Sequence, residues 1–334
     1  MAAYTQALPD LDGYRVELLR EGAPPALPRV PFKPRGLLAD LPEPPDGRRG
    51  WPWDVEWPPP SPVGDWPLIS VVTPSYQQAP FLEQTIRSVL LQNYPELEFV
   101  VMDGGSTDGT SSIIERYGPW LSFHRRAKDR GQSHAINLGF SLASGKLRGW
   151  INSDDFYLPG ALESVARTFN GHSGFVYGNS LELDESTGEV RHVIAGFAHQ
   201  RYVAYPGLIP SHAAFWSEGA HKPVWEEQHC AMDYELWIRL LQGVRIRHVN
   251  RALGVLRVHP ATKSANSRYQ ELWRSDARRN GLAHPELFGP HPWRDREFRA
   301  VQRLFRWFRS LGESESLRKL QLECGWAQII NSER

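Results

Sequence analysis

Residues 69–110 read ISVVTPSYQQAPFLEQTIRSVLLQNYPELEFVVMDGGSTDGT, and this stretch decides the fold. LISVVT (68–73) and ELEFVVM (96–102) are short runs rich in β-branched and apolar residues, as buried parallel strands require. Between them Phe81, Leu82, Ile86, Val89 and Leu90 fall on one helical face. The second run ends in a glycine-rich turn, DGGSTDGT. A strand, a helix and a strand in this order predict a right-handed parallel crossover.

Working outward, the pattern continues. A helix through Ile113 and Ile114, a short strand near Leu121–His124, a helix carrying Ala135, Leu138 and Leu142, and a strand KLRGWI (146–151) follow. The β-α-β-α-β-α-β order predicts an α/β fold with a doubly wound, mostly parallel sheet. FVYGNSLEL and EVRHVI around DESTG predict a hairpin at 175–193. Helical periodicity returns at Ala231–Leu241, then two short strands are expected at 244–249 and 252–258. Upstream, residues 1–66 hold 14 of the 27 prolines and end in WPWDVEWPPPSPVGDW. Proline lacks the amide donor and fixes φ, so this segment is expected to be an extended arm, not helix or central strand. Its tryptophans predict that the arm lies against the main domain. Three regions result: the Pro/Trp-rich arm (1–66), a catalytic domain (67–265) split into a nucleotide-binding half (67–158) and an acceptor half (159–265), and a peripheral helical C-terminal extension (266–334).

Composition excludes several classes. Formal net charge is zero, which gives no global attraction for nucleic acid. Two cysteines, Cys230 and Cys324, exclude a disulfide scaffold and a cysteine-based zinc cluster and fit a reducing cytosol. The N-terminus lacks the features of a signal peptide and no stretch approaches a membrane span, so a cytoplasmic enzyme or binding protein is expected. None of the 12 histidines falls in an HExxH motif.

In an open α/β sheet, ligands bind beyond the carboxyl ends of the strands. Three polar clusters stand there. TPSYQ (73–77) follows the first strand, and Asp103-Gly104-Gly105 opens the turn after the second. Glycines let the backbone approach a ligand, and the leading Asp can accept hydrogen bonds from a base or ribose; the same residues also suit an ordinary Asx turn. Asn152-Ser153-Asp154-Asp155 follows the strand at 146–151. Adjacent carboxylates repel unless compensated, and Mg²⁺ or Mn²⁺ bridging a diphosphate does so with one or two carboxylates. The segment from Asp129 to Asn137 leads into a helix N-terminus suited to an anion. Neither G-x-G-x-x-G nor a P-loop is present.

Five segments in register, ISVVTPSYQQAPFLEQTIRSVLLQNYPELEFVVMDGGSTDGT, DRGQSHAINLGF, GWINSDDFYLPGAL, AMDYELWIRL and LRVHPATKS, resemble glycosyltransferase family 2, whose fold is GT-A. The resemblance covers about Leu68 to Ser264. It implies an inverting, metal-assisted transfer of a sugar from a nucleotide diphosphate donor, uridine favoured, to a glycan, lipid-linked or small-molecule acceptor in surface glycan or glycoconjugate biosynthesis. Carried over residue by residue, Thr73, Pro74, Ser75 and Tyr76 contact the nucleotide, Asp103 with Gly104 reads the base, and Arg130, Gln132, Ser133, Asn152 and Asp154 complete the nucleotide-sugar site. The resemblance further implies Asp155 and His259 as metal ligands, Asp233 as catalytic base, and Lys263 with Ser264 in a lid. His134, His212 and Tyr157 are candidates for donor-sugar or acceptor contacts.

The sequence departs from the family where Met232 replaces an acid before the base, His134 an Asp, and His212 a Gln. Absence of Gln-x-x-Arg-Trp favours single additions over processive synthesis. For Asp233 the competing assignment is a helix N-cap. RDREFRAVQRLFRWFR (294–309) is a basic amphipathic helix that can pack on the catalytic domain or rest on the inner face of an anionic membrane. A sugar nucleotidyltransferase and a non-catalytic nucleotide-sugar binder are the alternatives from other classes.

Overall fold

The computed structural model describes residues 6–61, 64–169, 171, 174–263, 266–288, 292–310, 324 and 330–331. Helix α1 (Leu11–Arg20) precedes β1 (Ile69–Ser75), α2 (Ala79–Leu90), β2 (Leu97–Asp103), α3 (Thr110–Tyr117), β3 (Phe123–Arg126), α4 (Gln132–Leu142) and β4 (Leu147–Trp150). Then come β5 (Phe156–Tyr157), α5 (Ala161–Thr168), β6 (Phe175–Asp184), β7 (Val190–Val193), β8 (Ala214–Ser217), α6 (Met232–Leu240), β9 (Ile246–Val258), α7 (Gln270–Ala283), α8 (Pro292–Ser310) and β10 (Ile330–Asn331).

The main sheet runs β10-β7-β6-β8-β4-β1-β2-β3. Its first half is parallel: β1 lies between β2 and β4, and β3 extends β2. Every residue of β1 and β2 is buried, because helices cover both faces and no solvent-facing alternation is needed. The register sets Ser75 opposite Asp103, so both polar clusters emerge at one edge. The second half is mixed: β8 joins antiparallel to β4 and β6, whereas β9 runs parallel to β6. The sheet is therefore uniformly parallel only where βα units repeat, and mixed beyond β4. The two strands expected at 244–249 and 252–258 form one strand, β9, with an irregularity where it pairs with β6 at Gly178–Ser180. A local bulge absorbs the extra residues, and pairing continues past it.

The N-terminal arm lies against the domain, as expected, but it is not wholly extended. Leu11–Arg20 is proline-free and helical, with the Asp10 carboxylate accepting the Asp12 amide, and this α1 packs on α4. Further along, the buried Arg87 guanidinium of α2 donates to the carbonyls of Pro42 (2.7 Å), Pro52 (3.0 Å) and Trp53 (2.6 Å). The Trp51 indole donates to the Tyr157 carbonyl at 2.7 Å. Proline-rich chain exposes carbonyls without matching donors, and Arg87 supplies several at once.

The C-terminal region is helical, but α7 is not peripheral. Its Asp276 and Asn280 are completely buried. Helix α8 turns Phe298 onto Tyr205, with ring centroids 3.8 Å apart, and Phe305 onto Phe197. Trp293, Leu304, Trp307 and Phe308 of the same helix remain exposed. Among the described residues no helix is long and apolar enough to cross a membrane.

Candidate active site

At the carboxyl edge of β1, β2 and β4 the structure opens a cavity of about 1140 Å³. One side is made by Pro74, Ser75, Tyr76, Gly104, Asp129 and Gln132. Gly104 lets the Asp129 carboxylate approach closely: a Cβ would lie 2.9 Å from Asp129 Oδ2. Asp129 accepts the Gly131 amide at 2.8 Å, and burial raises its carboxyl above the usual range. Asp103 is turned away. It is buried, accepts the amides of Gly105 and Ser106 and the Ser106 hydroxyl, and does not contribute to the cavity wall. The Asx-turn reading fits Asp103, and Asp129 is the carboxylate of the two that lines the cavity.

The floor is the Asn152–Asp155 turn. Thr85 of α2 holds it by donating to the Ser153 and Asp155 carbonyls (3.0 and 2.6 Å), and Arg257 of β9 donates through Nε to the Asp154 carbonyl (2.7 Å). Asp155 is almost fully buried; its Oδ1 accepts the Arg257 amide at 3.0 Å and its Oδ2 accepts from Asn152 at 3.2 Å. Desolvation first, and the neighbouring Asp154 second, push its carboxyl well above the usual range. His259 Nε2 stands 3.2 Å from Asp154 Oδ2, not beside Asp155. A hydrogen-bond chain leaves this floor: Asn152 Oδ1 accepts from Gln132 at 2.7 Å, and Gln132 Oε1 accepts from Lys263 at 2.7 Å.

The opposite wall carries Asp233. The helix cap is Ala231, and no side chain caps it in the usual way. Asp233 sits inside the first turn, with Oδ1 on the Tyr234 amide at 2.7 Å, and its carboxylate lines the cavity. The N-cap alternative therefore fails. Desolvation raises the Asp233 carboxyl, while the Tyr234 amide and the Lys263 charge pull it back. Asp276 of α7 holds the turn that leads into α6. Its Oδ2 accepts the amides of His229 (2.9 Å), Cys230 (2.7 Å) and Ala231 (3.0 Å). Asn280, one turn on, accepts from Gln228 at 2.7 Å. Sequence reading missed both residues. The available signal was weak: polar residues at i and i+4 in RSDARRN, which equally suits a solvated helix.

His212 lines the cavity near Asp154; burial lowers its imidazole to about 4, and its Nε2 has no hydrogen-bond partner. It is thus neutral at physiological pH.

Of the residues singled out from sequence, Pro74, Ser75, Tyr76, Gly104, Gln132, Asn152, Asp154, Asp155, His212, Asp233 and Lys263 share this cavity, and seven others stand off its wall. Thr73 and Tyr157 point into the core. Arg130 pairs with Glu226 at 2.9 Å and lies over the Tyr14 ring, on the outer surface of α4. Ser133 donates to the Gln228 carbonyl at 3.2 Å, and His134 Nδ1 accepts the Arg130 amide at 3.1 Å. These two side chains start α4 on its far face, so the helix turn removes them from the cavity. Asp103 and His259 are not among the cavity's lining residues, although His259 borders Asp154, and Ser264 lies outside the described residues. No described residue of the arm lines the cavity.

Does this site suit a divalent cation? Among the described residues no three His, Cys, Asp or Glu side chains form a cage. Two adjacent carboxylates, one with its ionisation resisted by the other, are nevertheless a donor set that a cation relieves. Mg²⁺ and Mn²⁺ sites of this type take one or two carboxylates and complete their shell with phosphate and water. Asp154 and Asp155 fit that arrangement.

The family model for "Glycosyl transferase family 2" matches residues 70–218. An uncharacterized glycosyltransferase of Rickettsia typhi is 25% identical over 229 residues, 62% of this chain and 70% of the relative. The putative teichuronic acid biosynthesis glycosyltransferase TuaG of Bacillus subtilis is 33% identical over 119 residues, 32% of this chain and 47% of that protein. The crystal structure of S. aureus TarS 1-349 superposes with a TM-score of 0.52 at 20% identity, covering 68% of each chain, which identifies the GT-A type of fold. Residues 70–218 match the family 2 glycosyl transferase model, and the chain is a glycosyltransferase.

Proposed function

We propose that the protein transfers a sugar from a nucleoside diphosphate donor, uridine favoured, to an acceptor hydroxyl with inversion, using Asp233 as base. The observation that carries this is that Asp233 and the Asp154–Asp155 pair line one cavity, with Asp233 not acting as the cap of its helix. The acceptor oxygen attacks the anomeric carbon while its proton passes to an Asp233 carboxylate oxygen. The bond from that carbon to the diphosphate oxygen breaks, and nucleoside diphosphate leaves. A raised carboxyl pKa brings the base closer to operating pH, which favours proton transfer. Asp154 and Asp155 would hold Mg²⁺ or Mn²⁺, which supplies compensation for charge on the leaving diphosphate. Gln132 and Lys263 close the space between floor and base, orienting the donor and excluding water. Support for uridine comes from TarS, solved with UDP-GlcNAc and with UDP; support for a surface-polymer role comes from TuaG.

The test is a thermal-shift series with UDP, GDP and dTDP, each with and without Mn²⁺, followed by analysis of products from the matching donor sugar. Metal-dependent stabilisation and release of nucleoside diphosphate are expected; a ligand at a hundredfold excess over its Kd adds about 2.7 kcal/mol. Release of pyrophosphate would instead identify a nucleotidyltransferase. The exposed Trp293, Leu304, Trp307 and Phe308 beside the α8 arginines support peripheral contact with an anionic bilayer. Co-sedimentation with anionic vesicles, lost in high salt, checks it.

A further inference from the structure

Asp129, Gly131 and Gln132 line the cavity, but Arg130 between them does not. The turn they form has little to hold it from within. Gly131, just before α4, adopts φ +114°, a backbone conformation that glycine reaches freely, and no side chain caps the helix there. The Asp129 carboxylate bonds the Gly131 amide, which belongs to the same turn.

The hold comes from the N-terminal arm. The hydroxyl of Tyr14 on α1 accepts from the Arg130 guanidinium and donates to Glu226 Oε1 at 2.7 Å. Arg130 donates to Glu226 Oε2 through Nη2 at 2.9 Å and Nε at 3.2 Å, and it lies over the Tyr14 ring. Its main chain is fixed as well: the Arg130 amide donates to His134 Nδ1 at 3.1 Å, and the Tyr14 and His134 rings meet edge-on with centroids 5.3 Å apart. The Arg130 side chain is 58% exposed, and an ion pair that exposed holds a turn weakly by itself. The tyrosine hydroxyl and ring add to the grip. Burial, and then the Glu226 carboxylate, push the phenol up to about 12, so the hydroxyl keeps its proton at neutral pH.

Both ends of this clamp are anchored. Asn137 of α4 donates to Glu226 Oε1 at 3.1 Å and exchanges two hydrogen bonds of 2.8 Å with the Val224 main chain. That segment leads on to α6 and Asp233. On the arm side, Leu18 shares the core with Ala135 and Leu138 of α4, Arg15 donates to the Ser141 carbonyl at 3.1 Å, and Gln6 donates to the buried Glu235 of α6 at 2.7 Å. Tyr14 therefore stands where the Asp129–Gln132 turn and the approach to the base helix meet.

We infer that Tyr14 is a positioning residue for the donor: from outside the cavity it fixes the Asp129–Gln132 turn, and so the Asp129 carboxylate, for the nucleoside of the nucleoside diphosphate. The inference rests on the donor reading above. It makes the N-terminal arm part of the donor site.

Calorimetry on the full chain with UDP and with pyrophosphate, each with Mn²⁺, tests it. Tyr14→Phe keeps the ring against His134 and removes both hydroxyl bonds. Its Kd for UDP should rise about fivefold, with a much smaller change for pyrophosphate. Arg130→Ala should show a similar loss, and the double variant should lose no more than the larger single change, because both residues act through one contact. A tyrosine that only supports the fold would lower the melting temperature without this selectivity. Unchanged or tighter UDP binding in Tyr14→Phe would overturn the inference. So would equal losses for UDP and pyrophosphate, or additive losses in the double variant. Failure of the donor reading would show elsewhere, in wild type that binds neither ligand, and would take the inference with it.

Discussion

Asp276 Oδ2 lies 3.0 Å from the Ala231 amide, two residues before Asp233, so α7 fixes where the proposed base begins its helix. One carboxylate oxygen takes three consecutive amides of the turn that enters α6. Removing it leaves the buried Ala231 amide unpaired, which costs about 1–3 kcal/mol. Asp276→Ala is expected to lower stability and to reduce kcat about tenfold with donor Kd unchanged. Asp276→Asn, which keeps one acceptor, should recover part of the loss in kcat. A uniform loss of donor affinity in both variants would show that α7 supports the whole domain and not the base.

For Asp233 itself the expectation is sharper. Asp233→Asn keeps size and an acceptor for the Tyr234 amide but removes basicity. Transfer should fall by about 10²–10⁴-fold, with UDP binding unchanged by calorimetry. Turnover near wild type would move the base elsewhere, with His212 the next residue to substitute.

The same carboxylate predicts a pH profile. Asp233 works when ionised, and burial holds its pKa above the usual aspartate value, so kcat/KM should decline with falling pH at a higher pH than an exposed aspartate would give. Lys263 offsets part of that shift. Lys263→Met therefore should move the acid limb further up, whereas a purely structural Lys263 would lower the rate without moving the limb.

Placement on the cavity wall separates Asp129 from Asp103. Asp129→Ala should weaken UDP far more than pyrophosphate, because the lost partner is a base or ribose group. Asp103→Ala should instead lower thermal stability by opening the turn at Gly105 and Ser106. A selective loss of UDP binding in Asp103→Ala would return base reading to that residue.

What could be read from sequence follows from how each feature is encoded. The runs at 69–75 and 97–103 announce buried parallel strands because both faces need apolar residues, and their register alone brings Ser75 and Asp103 to one edge. Asp154, Asp155 and Asp233 could be placed in one site because strand ends and the first turn of α6 converge there. The direction of individual side chains was not legible. Two Asp-led turns, Asp103-Gly104 and Asp129–Gly131, look alike in sequence, and only the fold shows that Asp103 is spent inside its own turn while Asp129 lines the cavity. The proline density of the arm masked α1, although Asp10 followed by ten residues without proline was a usable signal. Asp276 was beyond reach, since its burial depends on contact across 45 residues of chain.

Two buried histidines predict how the fold responds to acid. His192 on β7 and His212 beside the cavity both have their imidazoles lowered by burial, from the ordinary 6.5 to about 4. Between those values the unfolded chain holds protons that the native protein does not, so stability rises with pH through this window and is lost as pH falls from 6.5 toward 4. At pH 5 each histidine accounts for about 2 kcal/mol of that loss, at 1.36 kcal/mol per pKa unit. Carboxylates titrate in the same range, so the comparison has to be with a variant. His192 stands away from the cavity, and His192→Gln removes one titration without touching donor or acceptor contacts. Urea unfolding at pH 7 and pH 5 should show wild type losing about 2 kcal/mol more than His192→Gln across that interval. An equal loss in both proteins would mean that His192 is already protonated in the native fold at pH 5.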